Sequence, residues 1–383
     1  MKLLLIPGPV NVPTTVLKAL MINPMNHRSE EFRNIVEQLI INLERLVSNS
    51  AKVSILSGSG TLAVEAMIYS LIKKGEKVVN VIQGNFGERA SESCKKKGAQ
   101  VIEVRFDEDE AVNAETLSER IKDKFDAIVL IQNETSKGIS VKDLEAIGKF
   151  AEENNAKLLV DAVSSFGGTE IKIKEAKITA LATASQKCIA SVPGLSFVFI
   201  NNSFLETGKF DMEDVPSYLD LGLHLRFHSK SETPFTPAVN LFNATLEATK
   251  VLLKEGLDNR IKRHKACASS IRKWLINNGL HVKGNESNYS DTVIAIDLPY
   301  AISSKIVKMM ESQFNVEVAK GMGEEAENVL RIGIMGVLDR REISYGIKSL
   351  AISFKKFGLE INGDIEISEE CSRPSWISLD SEI

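Results

Sequence analysis

Lys157-Leu158-Leu159-Val160-Asp161-Ala162-Val163-Ser164-Ser165-Phe166-Gly167-Gly168 is the stretch on which the reading of this chain turns. Lys157 to Val160 shows no polar alternation, which fits a strand covered on both faces. It then delivers a carboxylate, Asp161, and a carboxylate at the end of a buried strand is costly without a partner. A metal, a ribose hydroxyl or a protonated ring nitrogen would each serve, as would a plain cap on the next turn.

Working outward, Asp126 to Ile131 is a second, nearly all-apolar strand and Val141 to Glu153 is helical between the two. Upstream, Lys52 to Leu56, Lys77 to Ile82 and Val101 to Phe106 read as strands, with helices at Thr61 to Lys73 and Glu88 to Lys97. This alternation predicts a mostly parallel sheet with helices on both faces. After about Ser203 the rhythm weakens. Asp211 to Pro237 reads as a long ordered excursion, and a helix follows at Leu241 to Glu255. A smaller α+β unit is then predicted, with strands at Thr292 to Ile296, Val316 to Val318 and Val329 to Ile332. Its helices are Ile261 to Asn277, Ser303 to Gln313 and Arg341 to Phe357. The expected division is an N-terminal segment 1–14, a large domain 15–255, a small domain 256–361 and an acidic, Ser-rich tail 362–383, frayed or docked on a partner.

The 383 residues allow two or three domains, and 43% hydrophobic with 26% charged residues is ordinary for a globular chain. A formal net charge of −4 offers no basic field for nucleic acid. No apolar run approaches the ~20 residues that span a bilayer, and the apolar start is cut short by Pro7-Gly8-Pro9, so a cytoplasmic protein is expected. Cys94, Cys188, Cys267 and Cys371 are widely spaced without a CxxC pair, which suggests neither a disulfide framework nor a zinc site. No metal is expected.

In an open α/β sheet, ligands sit beyond the carboxyl ends of the strands. Three such ends carry chemistry. Ser57-Gly58-Ser59-Gly60-Thr61 opens a helix, where glycine backbone and free N–H groups can hold a phosphate; it is neither a P-loop nor GxGxxG. Asp161 is the second. Lys187, in Thr183-Ala184-Ser185-Gln186-Lys187-Cys188, is an amine set among small residues before a Pro-Gly turn. Singly, each also reads as a turn, a cap or a surface lysine. Together they match one cofactor, pyridoxal 5′-phosphate, which needs a phosphate cradle, a carboxylate for its ring nitrogen and a lysine for covalent attachment.

With those residues in hand, the chain resembles the class V (fold type I) pyridoxal-phosphate aminotransferases, nearest to the serine–pyruvate and alanine–glyoxylate group, from Pro7 to about Gly336. The resemblance implies a large domain with a seven-stranded, mostly parallel sheet flanked by helices, plus a smaller α+β C-terminal domain. Ile6-Pro7-Gly8-Pro9-Val10-Asn11 and Asn26-His27-Arg28 are similar to the family's N-terminal substrate-side and His-Arg segments. By the same likeness Ser59, Gly60 and Thr61 form the phosphate turn, and Phe86, in Gly84-Asn85-Phe86-Gly87-Glu88-Arg89, stacks on the ring where relatives often carry Trp. Thr135, in Gln132-Asn133-Glu134-Thr135-Ser136-Lys137-Gly138, bonds the ring hydroxyl; relatives usually begin that segment with His and have Thr in place of Lys137. Asp161 and Lys187 take the ring nitrogen and the attachment, and Gln186 sits near the phosphate. Thr233 and Thr236, in Thr233-Pro234-Phe235-Thr236-Pro237, lie on a segment that reaches the phosphate of the other subunit of a homodimer. Arg331, in Leu330-Arg331-Ile332-Gly333-Ile334-Met335-Gly336, binds the substrate carboxylate, with Asn11 and Ser165 also on the substrate side.

The implied reaction moves an amino group from serine or alanine to pyruvate or glyoxylate by a ping-pong cycle. The rivals are a phosphonate, phosphoserine or aspartate aminotransferase on the same fold and a non-catalytic binding protein. A cysteine desulfurase needs a nucleophilic Cys in the second half, and none lies between Cys267 and Cys371.

Overall fold

The computed structural model describes residues 2–208, 210–211 and 214–379. Seven strands form the main sheet: β1 (Ala51–Ser57), β2 (Lys77–Ile82), β3 (Gln100–Arg105), β4 (Ala127–Ile131), β5 (Lys157–Asp161), β6 (Ala180–Ala184) and β7 (Leu195–Asn201). Their spatial order is β1-β7-β6-β5-β4-β2-β3. Neighbours from β3 through β6 run parallel, while β7 is antiparallel to both β6 and β1. The expected sheet is therefore present, and its central strands β4 and β6 are buried at every position.

Two helices matter most for the site. Helix α1 (Gly60–Leu71) springs directly from β1, and α2 (Asn85–Lys97) from β2. Helix α2 ends at Gly98, left-handed at φ 87°, with Lys95, Lys96 and Lys97 in its last turn, where cations favour the carbonyl end of the dipole. Both helices pack on one face of the sheet through Ala63, Met67, Leu71, Ala90 and Cys94. The other face is covered partly by Glu30–Leu46, a helix missed in the sequence reading. Ser29 caps it by accepting the Phe32 N–H, and Phe32, Val36, Leu39 and Leu43 fall on one buried stripe. Strand β6 was missed too, because Ala180-Leu181-Ala182-Thr183-Ala184 has little β-branched content.

After α3 (Val239–Glu255) and α4 (Leu257–Asn277), a second core is built on a three-stranded sheet of β8 (Val293–Asp297), β9 (Ala319–Lys320) and β10 (Val329–Gly333), in the order β8-β10-β9. The expected strand at Val316 belongs elsewhere: Val316–Glu317 pairs in parallel with Leu3–Leu4. Leu3 and Leu5 thereby join the core of Ile271, Leu330 and Phe354, and the N-terminal segment is fixed to the C-terminal unit before it enters the site. The Asp211–Pro237 excursion contains a helix, Leu221–His228; residues 212 and 213 lie outside the described residues.

Two expectations about the C-terminus are corrected. Cys267 on α4 and Cys371 in the tail form a disulfide, with Cα atoms 4.8 Å apart across a separation of 104 residues. The tail itself packs on its own chain. Ile377 and Leu379 are buried beside Val10 and Val337, and the Thr14 N–H donates to the Ser378 carbonyl. Residues 380–383 of that tail lie outside the described residues. Among the described residues no helix is long and apolar enough to cross a membrane.

Candidate active site

The carboxyl ends of β1, β4, β5 and β6 meet at a cavity of about 150 Å³. Ser59, Gly60, Thr61, Phe86, Thr135, Asp161, Gln186 and Lys187 all line it, so eight of the residues singled out from the sequence converge on one space. A larger cleft of about 860 Å³ lies behind the sheet along α4 and shares none of these eight.

Each wall follows from a local cause. Helix α1 begins at Gly60 after Ser59, whose side chain makes no capping hydrogen bond; the Leu62 N–H donates to the Ser59 carbonyl, and the Gly60 and Thr61 N–H groups are left for a ligand. A Cβ on Gly60 would stand 2.8 Å from both Val163 methyls, so only glycine lets this turn come so close to the Asp161 loop. Asp161 is buried; its Oδ1 accepts the Val163 N–H at 2.8 Å, which leaves Oδ2 for a ligand. Burial raises its pKa to about 6, helped by the negative Glu134 and opposed by the Val163 hydrogen bond, Lys187 and Arg89. Burial lowers the Lys187 amine to about 8. The nearby Arg331 pulls it the same way, while Cys188 and Asp161 pull it up. Lys187 Nζ donates to the Pro7 carbonyl, so the N-terminal segment closes the cavity over the amine. Thr135 Oγ1 bonds Ser164 Oγ at 3.0 Å, and Ser164 in turn holds the Asn133 amide at 2.7 Å.

Arg331, on β10, stands at the rim rather than in the lining. Its Nε donates to the Lys320 carbonyl at 2.9 Å and its Nη1 to the Thr135 carbonyl at 3.2 Å. The structure corrects two substrate-side expectations. Asn11 faces the chain itself: its Oδ1 accepts the Leu4 N–H and its Nδ2 donates to the Lys2 carbonyl, a clasp of the N-terminal segment. Ser165 is fully buried outside the cavity, because the turn after Asp161 presents Ser164 instead. Thr233 and Thr236 lie off this cavity too. Thr233 is buried with its hydroxyl on the Phe235 carbonyl, while Thr236 is exposed. The segment is carried by Arg28, whose Nη1 donates to the Thr233 carbonyl at 2.8 Å.

Sequence reasoning did not single out Asn133, Ser164, Arg89 or Glu134 as site residues. Arg89 lies over the Phe86 ring, 5.0 Å from its centroid, and lines the cavity. Its position one turn past Phe86 on α2 was the available signal.

Comparison with known proteins agrees with this geometry. The family model "Aminotransferase class-V" matches residues 14–344. An uncharacterised aminotransferase of Methanocaldococcus jannaschii is 33% identical over 96% of this chain and 97% of its own. A serine–glyoxylate aminotransferase of Hyphomicrobium methylovorum is 29% identical, covering 94% and 91%. The crystal structure of an alanine–glyoxylate aminotransferase from Nostoc superposes with a TM-score of 0.85 at 26% identity, over 92% of this chain and 95% of that one. The chain belongs to the class V aminotransferases, enzymes that use pyridoxal phosphate. The residues present fit that cofactor: an uncapped helix N-terminus for phosphate, a buried carboxylate with an oxygen to spare, an amine, and a buried Gln186 Oε1 with no hydrogen-bond partner among the described residues.

Proposed function

We propose that the enzyme moves an amino group from a small L-amino acid, serine or alanine, to a 2-oxo acid, pyruvate or glyoxylate, in a ping-pong cycle. The observation that carries this reading is the convergence of Lys187, Asp161 and the α1 N-terminus on one cavity, with Arg331 at its rim. Pyridoxal phosphate, when bound, supplies an electron sink for the substrate α-carbon. The first-turn N–H groups at Gly60 and Thr61 bind its phosphate. Asp161 Oδ2 would accept from the cofactor's protonated ring nitrogen and hold that proton in place. Thr135 donates to or accepts from the ring hydroxyl, and Phe86 covers a ring face. Arg331 grips the substrate carboxylate in a bidentate pair. Lys187 Nζ would hold the cofactor, and its amine is the group placed to move the substrate's α-proton.

The donor class is inferred from two supports. Lys137, the next cation along the Thr135 segment, is taken up by Glu325 at 2.6 Å and Glu108 at 3.2 Å, so it offers little to a second substrate carboxylate. The serine–glyoxylate and alanine–glyoxylate relatives point the same way. The exposed Thr236 supports a homodimer in which this segment reaches the partner's phosphate. We keep 15–255 as the cofactor-binding domain, 256–361 as the smaller one, and the cytoplasm as the setting. The test is a donor panel: L-serine, L-alanine, L-aspartate and O-phosphoserine, each with glyoxylate and with pyruvate. Serine or alanine should give the highest kcat/KM and parallel double-reciprocal lines. Preference for aspartate or phosphoserine would overturn the donor class.

A further inference from the structure

Two sequence segments that looked separate, Gly84–Arg89 and Gln132–Gly138, form one device. Glu134 is fully buried, and four donors converge on its carboxylate. Oε2 accepts the Phe86 N–H at 3.1 Å and the Gly87 N–H at 3.2 Å. Oε1 accepts the Ser136 N–H at 3.1 Å and the Ser136 hydroxyl at 2.5 Å. These two N–H groups belong to the first turn of the 13-residue helix α2, where no intrahelical carbonyl is available to them. The usual local solution is absent: the residue before the helix is Gly84, which has no side chain to cap it. A carboxylate 48 residues away in sequence does that work instead, at the positive end of the helix dipole.

The fit is close. A Cβ on Gly84 would lie 2.5 Å from Ser136 Oγ and 2.8 Å from Glu134 Cδ, so the approach requires glycine there. Burial is the largest influence on the Glu134 carboxyl and raises its pKa against the opposing Ser136, Gly87 and Phe86 donors. All four of its partners are donors, however, and a carboxylate is the form they select. The Phe86 backbone is thus held by Glu134 while its ring lines the cavity with Asp161 and Lys187.

We propose that Glu134 is a positioning residue: seated on the Phe86 and Gly87 N–H groups, it fixes the Phe86 ring against the cofactor and so sets how tightly the ring is held. This rests on the assignment of Phe86 to the ring face made above. Glu134 does not line the cavity, so it acts through the Phe86 backbone.

The test uses the full-length apoprotein and 4′-deoxypyridoxine 5′-phosphate, which lacks the aldehyde and so cannot attach to Lys187. Its equilibrium affinity is measured for wild type, Glu134→Gln, Phe86→Ala and the double variant. Glutamine keeps the shape but sets an NH₂ against converging donors. Each single change should weaken binding about tenfold. The double variant should bind no worse than Phe86→Ala alone, since the two act as one unit. A Glu134→Gln protein that binds like wild type, or losses that multiply in the double variant, would overturn the proposal. Wild-type affinity in Phe86→Ala would remove the ring-face assignment itself, and the proposal with it. Amide hydrogen exchange in the wild-type protein needs no variant to fold. The Phe86 and Gly87 amides should be protected like those inside α2, whereas the rapid exchange usual for a first helical turn would contradict the proposal.

Discussion

Lys187 shows how much of the site is decided by where a single amine is placed. Burial lowers its pKa from 10.5 to about 8, so a large fraction is already neutral and nucleophilic in mildly alkaline solution. The rate at which the apoprotein captures pyridoxal phosphate should therefore rise with pH with a midpoint near 8; a midpoint near 10.5, as for an ordinary lysine, would contradict this. The same shift has a sign for stability. Between those two values the unfolded chain holds a proton that the folded chain has lost, so this residue makes the apoprotein more stable as pH rises through that window. Lys187→Ala should cut turnover by at least about 10²-fold with an unchanged circular dichroism spectrum; normal turnover would remove Lys187 from the chemistry. Arg331→Ala should raise KM for the amino donor by about 10- to 100-fold while the cofactor stays bound. An unchanged KM would free Arg331 from the substrate role. Asp161 was legible in the sequence because it follows an apolar run that reads as a covered strand, and Lys187 because it is an amine set among small residues before a Pro-Gly turn. The choice between Ser164 and Ser165 was not, since it depends on the turn in which the Phe166 N–H returns to the Ala162 carbonyl.

Between elements, the dominant contacts join segments remote in sequence. Arg260 is completely buried at the start of α4; it donates to Glu255 and, at 2.8 Å, to the carbonyl of Cys188, the residue after Lys187. Arg263 shares Glu255 at 2.8 Å and donates to the Leu338 and Gly336 carbonyls, on the loop beyond β10 and Arg331. One carboxylate thus clamps the loop bearing Lys187 to the chain leaving β10. Arg260→Ala should leave Glu255 buried and partly unpaired, at a cost of about 3–5 kcal/mol in urea unfolding; a change within about 0.5 kcal/mol would show the clamp to be incidental. No periodicity in α3 or α4 announces this, because Glu255, Arg260 and Arg263 are polar residues in otherwise ordinary helices and their remaining partners are backbone carbonyls of distant loops. The Cys267–Cys371 bridge was hidden for a related reason: widely spaced cysteines give no spacing signal, and only the docking of the tail brings them together. A non-reducing peptide map should recover the two as one linked species, and two free thiols would contradict the bridge. A reducing cytoplasm is the setting in which such a bond is hardest to keep, so the map also bears on where the enzyme works.

At the scale of the molecule, the mostly parallel sheet and the smaller α+β unit were legible because buried parallel strands leave apolar runs between helical patterns, and the ends of those runs locate the site, while the strand order was not legible. Nor was it legible how the chain's ends return to that site. Leu3–Leu4 pairs with Val316–Glu317, Pro7 covers Lys187, and Leu379 packs beside Val10 and Cys188. These contacts link residues at opposite ends of the sequence, and no local pattern encodes them. They place the Lys187 amine under the N-terminal segment, with Ile377 and Leu379 of the tail packed on that same segment at Val10. The most direct test of the active site is the visible spectrum of the purified protein before and after single additions of L-serine, L-alanine, L-aspartate and O-phosphoserine. The expected result is a yellow band that serine or alanine bleaches and that pyruvate or glyoxylate then restores. Bleaching by aspartate or phosphoserine alone would keep the cofactor and overturn the donor class. No band, even after incubation with pyridoxal phosphate, would contradict the assignment of Lys187 and Asp161 altogether.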